Sequence, residues 1–124
     1  MAIQKILIVD DEPDVCSLVA RNLKKSSFEV ETAGSGKELD QKLKTFKPDL
    51  MILDLYMPEI NGMEIIQSMR NKDNKIAKFP ANLLVMVMSG GADLESQEEL
   101  ESKGIRIIQK PIDFKALVNI IKEM

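Results

Sequence analysis

Three aspartates sit where their carboxylates could do chemistry. Asp10 and Asp11 follow the apolar run Ile6-Leu7-Ile8-Val9, and Asp54 follows Leu50-Met51-Ile52-Leu53. A short apolar run bounded by polar residues is the pattern of a strand buried on both faces. The carboxylates therefore fall where two central strands leave one edge of a sheet. Carboxylates gathered there cannot all stay ionised unless something offsets their repulsion. A hard cation with oxygen ligands does so, and Mg²⁺ suits sites with few carboxylates that keep waters and meet a phosphate. The cluster is a candidate phosphoryl-transfer site.

Two further apolar runs end on polar side chains, with Ser89-Gly90-Gly91 after Leu83 to Met88 and Gln109-Lys110-Pro111 after Ile105 to Ile108. Each group has a task in such a transfer. An ionised aspartate can act as a nucleophile and form an aspartyl phosphate. Flanking carboxylates hold the cation that offsets phosphoryl charge. A lysine supplies a compact positive charge to a phosphate oxygen, and a serine hydroxyl can donate to another. Taken singly, each feature is ordinary: an Asp pair caps helices, a terminal Lys lies on the surface, and Ser-Gly-Gly makes turns. Their joint occurrence at four strand ends is the informative observation.

The elements that must position these groups alternate. Beside the four runs above, a weaker alternating stretch from Phe28 to Ala33 predicts an edge strand. Helical stretches fill the gaps. Val15, Leu18, Val19 and Leu23 share helical spacing after Pro13, a residue suited to a first turn. A second helix is expected from Ser35 to Thr45 with Leu39 and Leu43 inward, and a third after Asn61-Gly62 with Ile65, Ile66 and Met69 inward. An acidic fourth spans Asp93 to Ser102, and a fifth starts at the N-cap Asp113 with Phe114, Leu117, Val118 and Ile121 inward. Asn71 to Pro80 is expected to be a long polar connection. Strands alternating with helices imply an α/β domain, a parallel sheet covered on both faces. Ligands then bind outside the carboxyl ends of the strands, where the aspartates stand.

Composition narrows the classes. The 124 residues are expected to form one domain over 1–124. The net charge of -3 argues against a general binder of nucleic acid or anionic membrane. No run approaches the length of a membrane span, and Met1-Ala2-Ile3-Gln4-Lys5 is unlike a signal peptide. The single cysteine, Cys16, permits no internal disulfide and suits a cytoplasmic location. The absence of histidine excludes imidazole ligands and Ser-His triads on this chain. The eight methionines, Met51, Met86 and Met88 among them, are expected as core filler. Lys37, Lys42, Lys44 and Lys47 are expected on a solvated helix face.

Taken together, Ile8-Val9-Asp10-Asp11-Glu12-Pro13, Asp54-Leu55-Tyr56-Met57-Pro58-Glu59-Ile60-Asn61-Gly62, Ser89-Gly90-Gly91 and Lys110-Pro111 resemble a two-component response-regulator receiver domain of the single-domain, chemotaxis-regulator type. The resemblance implies a flavodoxin-like three-layer (βα)5 sandwich, its five-stranded parallel sheet in the order 2-1-3-4-5. It implies Asp54 as phosphoacceptor, and Mg²⁺ (or Mn²⁺ in its place) held by Asp11 directly, by Asp10 mostly through water, by Asp54 and by the backbone carbonyl of Tyr56. Ser89 resembles the switch hydroxyl, Lys110 the phosphate-contacting lysine and Pro111 the family's cis proline. Met57-Pro58 and Gly62 resemble the turn after the acceptor strand. The implied donor is a sensor histidine kinase or histidine phosphotransfer protein. The implied output is a surface made by the fourth helix, fifth strand and fifth helix, offered to another protein rather than to nucleic acid or membrane. The sequence shows no output domain, so the chain is expected to act through another protein or to belong to a longer one.

Two departures stand out. The switch aromatic that family members often carry three residues before the lysine is Ile107 here, which points to a milder aliphatic repacking or to a different readout. Tyr56 and Gly91 stand two residues past Asp54 and Ser89. One would shield the phosphoryl group and the other would leave it open, so they set no common expectation for its lifetime. The acidic fourth helix (Glu95, Glu98, Glu99, Glu101) suits a solvated face and a partner surface equally. Three other functions suit this sequence less well. A flavin module needs a Gly and hydroxyl phosphate cradle where Asp10-Asp11-Glu12 stands, and more aromatic surface than 4%. An aspartyl-phosphate hydrolase of the haloacid dehalogenase type needs an Asp-x-Asp that Asp54-Leu55-Tyr56 lacks. A phosphorylation-independent docking module would not need the full set of phosphorylation residues.

Overall fold

The apolar runs become strands because their side chains alternate between two covered faces. This computed structural model describes residues 3–55, 83–90 and 94–124. Within them the strands are β1 (Lys5–Val9), β2 (Glu29–Ala33), β3 (Leu50–Asp54), β4 (Leu84–Ser89) and β5 (Arg106–Gln109). The helices are α1 (Pro13–Lys25), α2 (Gly36–Thr45), α3 (Leu94–Ser102) and α4 (Phe114–Glu123). The expected third helix after Asn61-Gly62 and the connection from Asn71 to Pro80 lie outside the described residues, so α3 and α4 are the helices foreseen as fourth and fifth.

All strand pairs are parallel, in the order β2-β1-β3-β4-β5. The alternating stretch is thus an edge strand, as expected, and the two strands that precede the aspartates are neighbours. Alternation splits the core into two layers. Leu7, Val9, Met51, Leu53 and Val87 face Leu39 and Leu43 of α2 and Leu100 of α3. Ile6, Ile8, Ile52, Met86 and Met88 face Cys16, Val19, Ala20 and Leu23 of α1 and Leu117 and Ile121 of α4. Each fully buried Leu, Ile or Met contributes about 1.5–3 kcal/mol of apolar transfer. The methionines of β3 and β4 are core residues.

Local signals set the helix ends. Ser35 accepts from the Glu38 N–H and Asp113 from the Ala116 N–H, each satisfying an N-terminal donor of its helix. One expectation fails: Leu18 is 49% exposed. The buried stripe of α1 is Cys16, Val19, Ala20 and Leu23. At about 100° per residue Leu18 points nearly opposite that stripe, which leaves Val15 half-buried at its margin. On α2, Lys42 is not merely solvated, since its ammonium pairs with Glu31 of β2.

Candidate functional site

Parallel pairing stacks the carboxyl ends of β1, β3, β4 and β5 at one edge, and the polar residues there are drawn inward. Asp10, Asp54 and Ser89 are the buried polar residues of the described chain, each less than 5% exposed. Asp54 closes β3 opposite Met88, and the next N–H, that of Leu55, donates to the Met88 carbonyl at 3.1 Å. Ser89 closes β4, and its carbonyl accepts from the Lys110 N–H at 2.8 Å. Asp10 stands just beyond β1, where its N–H donates to the Ala33 carbonyl at 3.1 Å. Its Oδ1 accepts from the Glu12 N–H at 3.0 Å.

Lys110 joins the two buried carboxylates. Its Nζ lies 3.5 Å from Asp10 Oδ2 and 3.5 Å from Asp54 Oδ2. Burial disfavours its charged form, but the charges of Asp54, Asp10 and Glu12 outweigh that and hold its pKa above the ordinary lysine value. The ammonium is therefore a fixed positive charge at neutral pH. It is one cation facing several carboxylates, so the edge still carries excess negative charge. The Lys110–Pro111 peptide is cis, as the family resemblance implies.

Asp11 and Glu12 are exposed at the rim. One carboxylate oxygen each from Asp10, Asp11 and Glu12 lie within 4.8 Å of one another. That is an all-oxygen, hard donor set of the kind Mg²⁺ and Mn²⁺ take, with exposed members open to water. Glu12 was not among the ligands foreseen. Its place at the N-cap of α1 with no side-chain capping bond leaves its carboxylate available, a local fact that spacing alone did not reveal. Cys16 was also missed: its buried thiol donates to the Asp10 carbonyl at 3.2 Å. Burial, then the Asp10 charge, push its pKa up to about 11.

Ile107 sits opposite Val87 in the ladder, half-buried against the α2–α3 layer. Tyr56, Met57, Pro58, Gly62 and Gly91, named from the sequence for the metal, the turn and the phosphoryl surroundings, lie outside the described residues.

Comparison with known proteins agrees with this geometry. The family model of the response regulator receiver domain matches residues 6–122. The transcriptional regulatory protein PrrA of Mycobacterium leprae is 30% identical over 97% of this chain and 49% of its own length. The CpxR homolog of Haemophilus influenzae, also a transcriptional regulatory protein, is 33% identical over 95% and 48%. The chain thus spans about half the length of these curated relatives. Among solved structures, a signal receiver domain from Bermanella marisrubri is 32% identical with a TM-score of 0.80, covering 96% of this chain and 95% of that one. The chemotaxis protein CheY4 of Vibrio cholerae is 26% identical with a TM-score of 0.79 and 98% coverage of both chains. Its sheet order, its layers and the family match over nearly its whole length make this chain a member of the response regulator receiver domain family of two-component signalling.

Proposed function

We propose that residues 1–124 form one receiver unit that takes a phosphoryl group on Asp54 from a phosphohistidine of a sensor kinase or histidine phosphotransfer protein in the cytoplasm. The observation that carries this reading is the placement of Asp54: a buried carboxylate at a strand end, with the Lys110 ammonium 3.5 Å away and an acidic trio beside it. A carboxylate oxygen of Asp54 forms the bond to phosphorus as the phosphorus–nitrogen bond of the donor breaks, and the electron pair leaves with the imidazole. Mg²⁺ would be held by Asp10, Asp11, Asp54 and the Tyr56 carbonyl, with Glu12 at the rim. When bound it offsets charge on the phosphoryl oxygens. Lys110 turns from its carboxylate partners toward a phosphate oxygen, and the Ser89 hydroxyl donates to another. These are positioning and electrostatic tasks, which dominate this chemistry.

The output follows from the same contacts. When Ser89 and Lys110 follow the phosphate, β4 and β5 shift at their carboxyl ends, and Ile107, packed on the α2–α3 layer, repacks with them. The surface of α3, β5 and α4 then changes its affinity for a protein partner. The unit regulates; its only catalysis is of its own phosphorylation and dephosphorylation. The test is intact-protein mass after incubation with acetyl phosphate, with and without Mg²⁺. A single Mg²⁺-dependent phosphoryl adduct is expected. No adduct, together with no binding of beryllofluoride, overturns the reading in favour of docking without phosphorylation.

A further inference from the structure

One buried reactive group at this edge has no part in the proposed transfer. Cys16 lies in the first turn of α1 and is 6% exposed. Its N–H donates to the Glu12 carbonyl at 3.1 Å, and its Sγ donates to the Asp10 carbonyl at 3.2 Å. A single residue thus grips both ends of the acidic segment Asp10-Asp11-Glu12. The last ladder pair of β1 is Val9 with Ala33, so the Asp10 carbonyl lies past the regular sheet. A buried carbonyl there needs a donor, and the helix-borne thiol supplies it. That carbonyl belongs to the peptide plane that also carries the Asp11 nitrogen. Rotation of the plane swings Asp11 relative to Asp10.

We propose that Cys16 is a positioning residue for the cation site: its thiol, donated to the Asp10 carbonyl, fixes the peptide between Asp10 and Asp11 and so the aim of their carboxylates at a bound divalent cation. The inference rests on the proposed reading of Asp10 and Asp11 as ligands. A carbonyl oxygen can only accept, so the thiol is the donor of this bond. The competing account is a small apolar filler, the usual role of a buried cysteine. The two differ in what a hydroxyl does in its place. As filler, Ser is no better than Ala, because it adds a polar atom to the interior. As donor, Ser retains what Ala loses.

The experiment is calorimetric titration of Mg²⁺ into the wild type, Cys16→Ser, Cys16→Ala and Asp11→Ala, with thermal unfolding of each in EDTA. Cys16→Ser is expected within about twofold of wild-type affinity. Cys16→Ala is expected weaker by about threefold to tenfold, below the usual loss for a supporting residue because a thiol is a weak donor. The unfolding curves in EDTA should show both variants fully folded at the titration temperature, so that the affinity gap is not a folding gap. Equal affinity in Cys16→Ala and Cys16→Ser overturns the positioning role. If wild type binds and Asp11→Ala does not, that result leaves the ligand reading standing. Wild type that binds no Mg²⁺ overturns both. Should Cys16→Ala fail to fold, the isosteric pair Cys16→Thr and Cys16→Val makes the same comparison at larger volume.

Discussion

The two ends of the sheet treat their aspartates in opposite ways. At the amino end, Asp49 precedes β3 and is exposed. Its Oδ2 accepts from the backbone N–H groups of Gln4 and Lys5 at 3.0 and 2.9 Å. Its own N–H donates to the Lys5 carbonyl at 2.8 Å, and its carbonyl accepts from the Leu84 N–H at 3.2 Å. Lys5 lies over the Phe46 ring, 5.5 Å from its centroid. These donors are backbone, fixed by the strands themselves, and they stitch β1, β3 and β4 together. At the carboxyl end, Asp10 and Asp54 are buried and share one lysine on a flexible stem. The amino end is satisfied by the fold alone. The carboxyl end is held in a charge arrangement that, on the proposed reading, a cation and a phosphoryl group reorganise. An exposed carboxylate bonded by backbone donors alone serves stability, whereas buried ones that also meet a movable ammonium suit switching.

The largest expected effect separates the two ends outright. Asp54→Asn should abolish the stable phosphoryl adduct seen by intact mass, while Asp49→Asn should leave it intact. An adduct on Asp54→Asn would mean that another carboxylate accepts the group. Next, Asp11→Ala should weaken Mg²⁺ by more than about a hundredfold, the upper end of what losing even a supporting residue costs. Without metal it should melt at or above the wild-type temperature, because one of several facing negative charges is gone. Retained Mg²⁺ affinity would remove Asp11 from the ligand set.

Lys110→Ala tests the lysine as internal counter-charge. It leaves Asp10 and Asp54 buried without their shared cation, so metal-free stability should fall by about 1–2 kcal/mol, less than for a fully buried pair because the ammonium is partly exposed. Mg²⁺ should still bind and restore much of that loss, by linkage to the folded state. Amide shifts of Ser89 and Ile107 on beryllofluoride binding should shrink. If Mg²⁺ no longer bound, the lysine would be part of the cation site's architecture rather than a counter-charge.

This contrast also explains what was legible in the sequence. Strand positions, the edge place of β2 and the gathering of Asp10, Asp54 and Lys110 at one edge follow from apolar runs and the polar residue that ends each. Those signals are local. The Asp49 latch was not legible, because its partners lie 44 and 45 residues away and an exposed aspartate before a strand resembles any loop residue. Glu12 and Cys16 escaped for a related reason: spacing does not tell whether an N-cap carboxylate is already used, or where a helical thiol points. Leu18 misled because an apolar residue at i+3 from Val15 fits a stripe centred elsewhere.

The smallest effect probes the latch. Asp49→Ala removes an acceptor of two backbone bonds, and the cost should be about 1 kcal/mol, at the low end for charge-assisted bonds because water screens an exposed carboxylate. For a domain this size that is roughly 4 °C in melting temperature. The sign with pH is fixed by direction. The Lys5 and Gln4 N–H groups hold the Asp49 pKa below its ordinary value of 3.8. The contribution is therefore fully present above the unfolded value, and it is lost as pH falls through the lowered folded value. The stability gap between wild type and Asp49→Ala should thus be wide at pH 7 and close as pH falls below the ordinary carboxylate value through the lowered folded one. Phosphorylation of Asp54 in the variant should be unchanged at pH 7, where the protein remains folded. A gap that persisted into strong acid would mean that the latch works by packing rather than by charge, and the contrast between the two ends would then rest on burial alone.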